Sequence, residues 1–275
     1  MTSHASPLRS LVTSAILPSL VLLTLGVGGG ACRTGPTEKE IKMAADRKAL
    51  AVDLMNKGRH RQALKELLSA EKLNPDDPDV HHHLGLVYTF GFQRYDDARQ
   101  HLARAIELRA DYSEAHNLYG VTLMREERYA EAVPHFKAAM ENLLYETPHF
   151  AQQNLGWSLY KSGAVDEGLE QLEDAVSAVP DLCGAYFWLG EGTAEQGRLA
   201  DAARWWEAYL SRCDSERLKS FVPPSQLADV RYRLGMAYLK LGDSARARAA
   251  LQVCVERFAR QPVAAECQKS LDVIP

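Results

Sequence analysis

The sequence predicts an all-α solenoid of stacked helical hairpins, and three observations predict it. A small residue recurs as an anchor at Ala51, Gly85, Gly120, Gly156, Gly190 and Gly235, at intervals of 34, 35, 36, 34 and 45 residues. Each glycine follows a leucine or tyrosine (Leu84, Tyr119, Leu155, Leu189, Leu234) and precedes a turn, then a small residue and a large one. Between residues 113 and 139 the apolar positions fall at helical spacing on two successive faces. Ala115, Leu118, Tyr119, Val121, Thr122 and Met124 form the first; Tyr129, Ala132, Val133, Phe136 and Ala139 form the second. The charged stretch Arg125 to Arg128 separates them. Each stripe is wider than one helix covers, so the hairpin needs neighbours of its own kind on both sides.

Period and residue types together match the tetratricopeptide repeat. The expected fold is therefore a right-handed superhelix of six helical hairpins with a C-terminal capping helix. Composition permits it: the 275 residues are 46% hydrophobic and 25% charged, with a net charge of -4. No basic excess exists to neutralise phosphates, and an aromatic share of 8% offers no stacking platform for bases. Nucleic acid is not an expected partner.

Residues 1–31 read as an export signal. His4 and Arg9 give a weakly basic start, Leu11 to Leu25 is largely apolar, and small residues from Gly26 to Ala31 precede Cys32. The apolar run is short for a membrane span and is broken by Pro18 and Ser19. Cys32 after small residues resembles a bacterial lipobox, in which the cysteine is acylated after cleavage. Gly29 stands where that motif usually has leucine, and plain secretion or an uncleaved anchor is the alternative. Residues 32–43 are then the lipidated cysteine and its tether, and 44–275 the solenoid.

The repeats follow in order. The first, 44–77, stops at Asn74-Pro75-Asp76-Asp77-Pro78, because both prolines lack the amide donor that a helix requires. The second, 78–112, contains His81-His82-His83. Successive helical residues point about 100° apart, so three adjacent imidazoles do not converge on one ion and no metal is expected. Solvated or groove-facing side chains are the reading. The turn of this repeat is one residue longer than that of the sixth, in Thr89-Phe90-Gly91-Phe92-Gln93. Those phenylalanines are expected to fold back onto the hairpin, or else to form a contact edge. The third repeat, 113–148, ends in a long junction through Asn142-Leu143-Leu144-Tyr145, and Pro148 suits a first helical turn. The fourth and fifth span 149–182 and 183–214. An insertion, Ser215 to Gln226 with Pro223-Pro224, explains the interval of 45. The sixth spans 228–261, and 263–273 is the cap that covers the last apolar face.

Four cysteines remain beyond Cys32. Cys183 opens one helix of repeat five and Cys213 closes the other, which brings them together in an antiparallel hairpin. Cys254 and Cys267 lie on neighbouring helices. An even set in an exported chain favours the disulfides Cys183–Cys213 and Cys254–Cys267 over four buried thiols. No CxxC pair occurs, which disfavours zinc on these residues.

The sequence contains no phosphate loop, GxSxG elbow, HExxH or calcium loop, and its carboxylates cluster on charged turns. No enzyme, cofactor or small-molecule substrate is expected. What stacked hairpins offer is a surface lined by each first helix. Its expected residues are His82, Asn117, Gln153, Trp157, Tyr160, Phe187 and Tyr232, with Lys48 and Met236 beside them. Trp157, Tyr160 and Phe187 would make an aromatic patch for a peptide or helix with large anchors. Packing of Trp157 and Phe187 between adjacent repeats is the alternative. The Lys/Asn clamp for C-terminal carboxylates is not matched, because Val52 follows Lys48 where asparagine is needed.

With its lipobox-like start, the chain resembles the pilotin lipoproteins of type IV pili, the Tgl/PilF/PilW group. The similarity is sharpest in EAHNLYGVTLMREERYAEAVPHFKAA and NLLYETPHFAQQNLGWSLYKSGAVDEG, within a resemblance running from about Ala44 to Val255. It implies a lipid-anchored protein of the bacterial outer membrane, facing the periplasm, whose partner is the type IV pilus secretin and which helps that pore assemble or localise. Two other functions fit the same repeats. One is a periplasmic adaptor for envelope assembly or polysaccharide export; the other is a regulatory subunit of a separately encoded enzyme.

Overall fold

The structure, a computed structural model, describes residues 35–218 and 220–274. Cys32 and the expected export signal lie outside them. Among the described residues there are helices and no strand. They pair as hairpins: α1 (Glu38–Asn56) with α2 (His60–Leu73), α3 (Pro78–Leu86) with α4 (Tyr95–Leu108), and α5 (Ser113–Arg125) with α6 (Tyr129–Glu141). Then come α7 (Pro148–Lys161) with α8 (Val165–Ala178), α9 (Cys183–Glu195) with α10 (Leu199–Cys213), and α11 (Pro224–Lys240) with α12 (Ser244–Arg257). Helix α13 (Ala264–Asp272) packs on α11 and α12 and closes the stack.

Helical composition begins at Glu38, and there Thr37 and Glu40 form a reciprocal capping box that starts α1, ahead of the first repeat at 44. One boundary departs from the sequence reading: the insertion expected through Gln226 yields sooner. Pro224 occupies the first turn of α11, where its missing amide costs nothing.

Four of the second helices share one packing rule. Buried small, large and small residues recur at i, i+4 and i+7: Ala63-Leu67-Ala70, Ala98-Leu102-Ala105, Ala132-Phe136-Ala139 and Gly168-Leu172-Ala175. The small residues let the partner helix approach, and the large one fills the gap above its glycine. A methyl on Gly120 would come within 2.6 Å of Phe136. In hairpin α7/α8 the backbones themselves come close, since a methyl on Gly168 would meet the Tyr160 backbone nitrogen at 2.5 Å.

Each first helix ends in a residue with positive φ. Glycine fills that place in four hairpins (Gly58, Gly163, Gly197, Gly242), and Gln93 and Glu127 adopt it in the other two. The extra residue of repeat two is absorbed upstream by a π-helical turn, Val87–Phe92. Phe92 folds back onto the N-terminal core as expected, while Phe90 stays 46% exposed under the Arg125 guanidinium.

Disulfides join Cys183 to Cys213 and Cys254 to Cys267, with Cα–Cα distances of 5.9 and 6.3 Å. The first closes hairpin α9/α10 at its open end, and the second pins α13 to α12. Beside the insertion, Asp214 is buried and ion-paired with Arg231 (2.8 Å) and Arg257.

Candidate functional site on the inner face

Successive first helices touch one another along the ladder α1–α3–α5–α7–α9, and the second helices form no comparable ladder among the described residues. The first helices therefore lie on the tighter, inner side of the stack. One register position recurs there, three residues before each anchor: Lys48, His82, Asn117, Gln153, Phe187 and Tyr232. None of these six is fully buried.

The N-terminal part of this row is polar and already engaged. Lys48 pairs with Asp77 (3.4 Å) and Asp79 (3.1 Å), so it is not a free groove cation. Asp79 also accepts from the Tyr112 hydroxyl at 2.8 Å and from Arg109 at 3.0 Å. Burial alone would raise the Asp79 carboxyl, but these donors outweigh it and hold it at about 2. His82 packs against the Tyr112 ring, 5.2 Å between centroids. Its burial pushes the imidazole down to about 4, so it is neutral near pH 7. Asn117 accepts a hydrogen bond from Asn154 at 3.2 Å, tying α5 to α7. Gln153 turns its amide toward Gly184 of α9, and its Oε1 is buried without a partner.

The C-terminal part is aromatic. Trp157 is half-buried in a continuous stack, with Tyr160 5.2 Å away at 6° and Trp188 5.7 Å away at 8°. Lys161 lies over its ring at 5.4 Å. Tyr160 itself does not line the surface, contrary to the sequence reading. It is 7% exposed and donates its hydroxyl to the Gly192 carbonyl (3.0 Å) and Glu195 (2.9 Å). Three residues beyond Trp157, it points into the seam with α9 and buttresses the tryptophan from beneath. Burial and the Glu195 carboxylate raise its hydroxyl to about 12.

Phe187 packs edge-on against Tyr209 and carries the Arg233 guanidinium at 5.7 Å. Arg233 in turn bridges Glu191 (2.6 Å) and Asp229 (2.7 Å), linking α9 to α11. Burial keeps the Glu191 carboxyl above its ordinary range despite that partner. Tyr232 lies one residue away and borders a shallow apolar recess of about 160 Å³ with Met236, Trp206 and Leu199.

Sequence reasoning missed Trp188, Glu191 and Arg233. Trp188 and Arg233 sit two residues before their anchors, a place held by His83, Leu118 and Asn154 in other repeats. No residue type recurs there, so no pattern marked them. The junction after α6, noted in the sequence for its length alone, leaves Leu143 and Leu144 97% and 88% exposed. A larger cavity, about 580 Å³, lies beside the insertion between Cys213, Leu227 and Phe258, away from the inner row. The inner face offers flat aromatic surfaces, amides and a shielded ion-pair network. Surfaces of this kind suit a peptide backbone or a helix with large side chains.

Comparison with known families agrees with this geometry. A family described as TPR repeat matches residues 53–89. Families described as tetratricopeptide repeat match 90–142, 154–217 and 229–260. The chain folds as a stack of tetratricopeptide repeats. Among solved structures, it is similar to PilW, a widely conserved type IV pilus biogenesis factor, with a TM-score of 0.72 and 22% identity over 82% of this chain and 98% of that one. PilF of Pseudomonas aeruginosa gives a TM-score of 0.67 and 15% identity, covering 84% and 99%. YrrB, a tetratricopeptide-repeat protein with an unusual peptide-binding site, gives 0.51 and 20%, covering 74% and 97%. At these identities the likeness is one of fold. A search of curated proteins by sequence finds no match. Among the described residues, no helix is long and apolar enough to cross a membrane.

Proposed function

We propose that this tetratricopeptide-repeat chain is a non-enzymatic scaffold of type IV pilus biogenesis, anchored through an acylated Cys32 to the outer membrane and facing the periplasm. Its partner in this reading is the secretin, whose subunits it holds until their barrel closes its unpaired strand edges. The single observation that carries the binding role is the half-exposed Trp157–Trp188 stack on the inner face. A tryptophan pair held against a buried tyrosine is a ready hot spot for a partner's apolar anchors. The pilus assignment is supported by the resemblance in the third and fourth repeats and by the fold shared with PilW and PilF. Anchoring would confine the scaffold to a membrane surface and raise its effective concentration near embedded subunits.

The test is a crosslinking pull-down from membranes, scored for secretin multimers, with the wild-type chain and the Trp157→Ala/Trp188→Ala variant. Capture by the wild type and its loss in a folded variant is the expected result. A deletion strain that keeps secretin multimers and surface pili would remove the assignment.

A further inference from the structure

The His81-His82-His83 run, read from sequence as solvated or groove-facing, is not used as a unit. His81 is 5% exposed and turns away from its neighbours, into the angle between α2, α3 and α4. There its Nδ1 lies 3.1 Å from His101 Nδ1 and 3.8 Å from Glu71 Oε1, and His101 Nδ1 lies 3.6 Å from the same oxygen. Three residues from three helices, 30 positions apart at the extremes, thus bring together two nitrogens and an oxygen. Helical spacing forbids adjacent imidazoles from converging, but it does not forbid convergence across a hairpin.

The geometry points to a binding site for one divalent transition-metal ion of the zinc type, held by Glu71, His81 and His101. A point equidistant from the three atoms lies about 2.0 Å from each, the bond length zinc takes to imidazole nitrogen and carboxylate oxygen. His81 is also oriented as a ligand. Its Nε2 donates to the Pro75 carbonyl at 2.8 Å, which leaves the Nδ1 lone pair facing the other two groups. Tyr88 stacks on His101 at 5.6 Å and 12°, holding that ring in place. Glu71 and His101 keep 27% and 17% of their side chains exposed, which leaves an entry path and a fourth coordination position.

Without metal the two imidazoles satisfy each other, with their nitrogens head-on as in an N–H···N hydrogen bond. Uptake of an ion turns both rings toward Glu71 and moves the His101 proton from Nδ1 to Nε2. The next repeat supplies an internal control. His116 and His135 face each other there with Nδ1 atoms 3.3 Å apart, His116 Nε2 lies 3.2 Å from the Ala110 carbonyl, and Tyr119 stacks on His135. The histidine pair is therefore a packing device of the fold. At that seam, however, the position of Glu71 on α2 is held by Ile106 on α4. The carboxylate is what the seam between repeats one and two adds, and packing alone does not explain it. Soft thiolates are absent from this trio, and its mixed nitrogen and oxygen donors suit zinc, nickel or copper better than calcium or magnesium.

The test uses the full chain, purified in detergent without a histidine tag, stripped with EDTA and titrated calorimetrically with zinc chloride. One equivalent binding at micromolar affinity or tighter is expected, with a rise in melting temperature that EDTA reverses. Glu71→Ile, which installs the residue that α4 carries at the equivalent position, should weaken binding at least about tenfold, and His101→Ala should abolish it. His135→Ala should leave it unchanged. If His101→Ala unfolds by circular dichroism, Glu71→Ile still decides, because that side chain is part-exposed and its substitute already fits the same place one repeat on. Zinc binding weaker than millimolar in the wild type, or equal affinity in wild type and Glu71→Ile, would overturn the site.

Discussion

The N-terminal and C-terminal halves of the stack obey one repeat rule yet are held and decorated differently. Up to Tyr119 the core is built largely of Ala, Leu and Val, and the inner row is Lys48, His82 and Asn117, engaged by charges and amides. From Trp157 onward the core takes in Tyr186, Trp206 and Tyr209, the inner row turns aromatic, and two disulfides close the scaffold. The contrast teaches where a binding surface is affordable. Exposed aromatics bind well only if the backbone beneath them is fixed in advance, since ordering it on binding would use up the gain. The half that presents the aromatics is the half that is cross-linked.

The largest expected effect tests that division directly. Replacing Cys213 and Cys267 with serine should destabilise the C-terminal half by about 6 kcal/mol in total, at about 3 kcal/mol per bridge. Hydrogen exchange should show lost protection in α9 to α13 with α1 to α4 unchanged. Equal loss in both halves would mean that they unfold as one unit. Next in size, Trp188→Ala should weaken partner capture by roughly 2–4 kcal/mol, against less than about 1 for Asn117→Ala. Titration of both variants against the same partner gives the comparison, and the reverse order would move the site to the polar half.

Acid should act on the other half. His82 and His135 are both pushed down by burial to about 4 from an ordinary 6.5. Between those values the unfolded chain binds more protons than the folded one, so stability is complete above pH 6.5 and falls as pH drops toward 4. The loss from His82 alone should be on the order of 3 kcal/mol. Asp79, held at about 2, adds a further loss only as pH falls below its ordinary 3.8. Glu191 acts oppositely, because its raised carboxyl pKa gives a contribution that is lost as pH rises through the folded value. Urea melts across this range, followed by probes in each half, should diverge, and His82→Gln should flatten the N-terminal curve. The smallest effect concerns a joint within the polar half. Thr89 and Thr122 hydroxyls meet at 2.9 Å while Thr122 also donates to the Leu118 carbonyl. Thr89→Val should cost only about 1 kcal/mol by thermal melt, because Thr122 keeps its other bond.

The amino-acid sequence by itself determined the hairpins, their number and their limits within a few residues. Those depend on local facts: a small–large–small pattern over two turns, prolines that cannot continue a helix, and turn positions that take positive φ. It also marked a row along the first helices, since that row is one register position repeated. Which side chain of a row meets solvent was a different matter. Trp157 and Tyr160 are three residues apart on one helix, and only the seam with α9 decides that the first remains accessible and the second is buried. Likewise His81 joins His101 and Glu71 because three helices converge, a relation between distant residues that no spacing along the chain encodes. Periodicity follows from covalent geometry and can be read in one dimension, whereas contact across helices requires the packed stack.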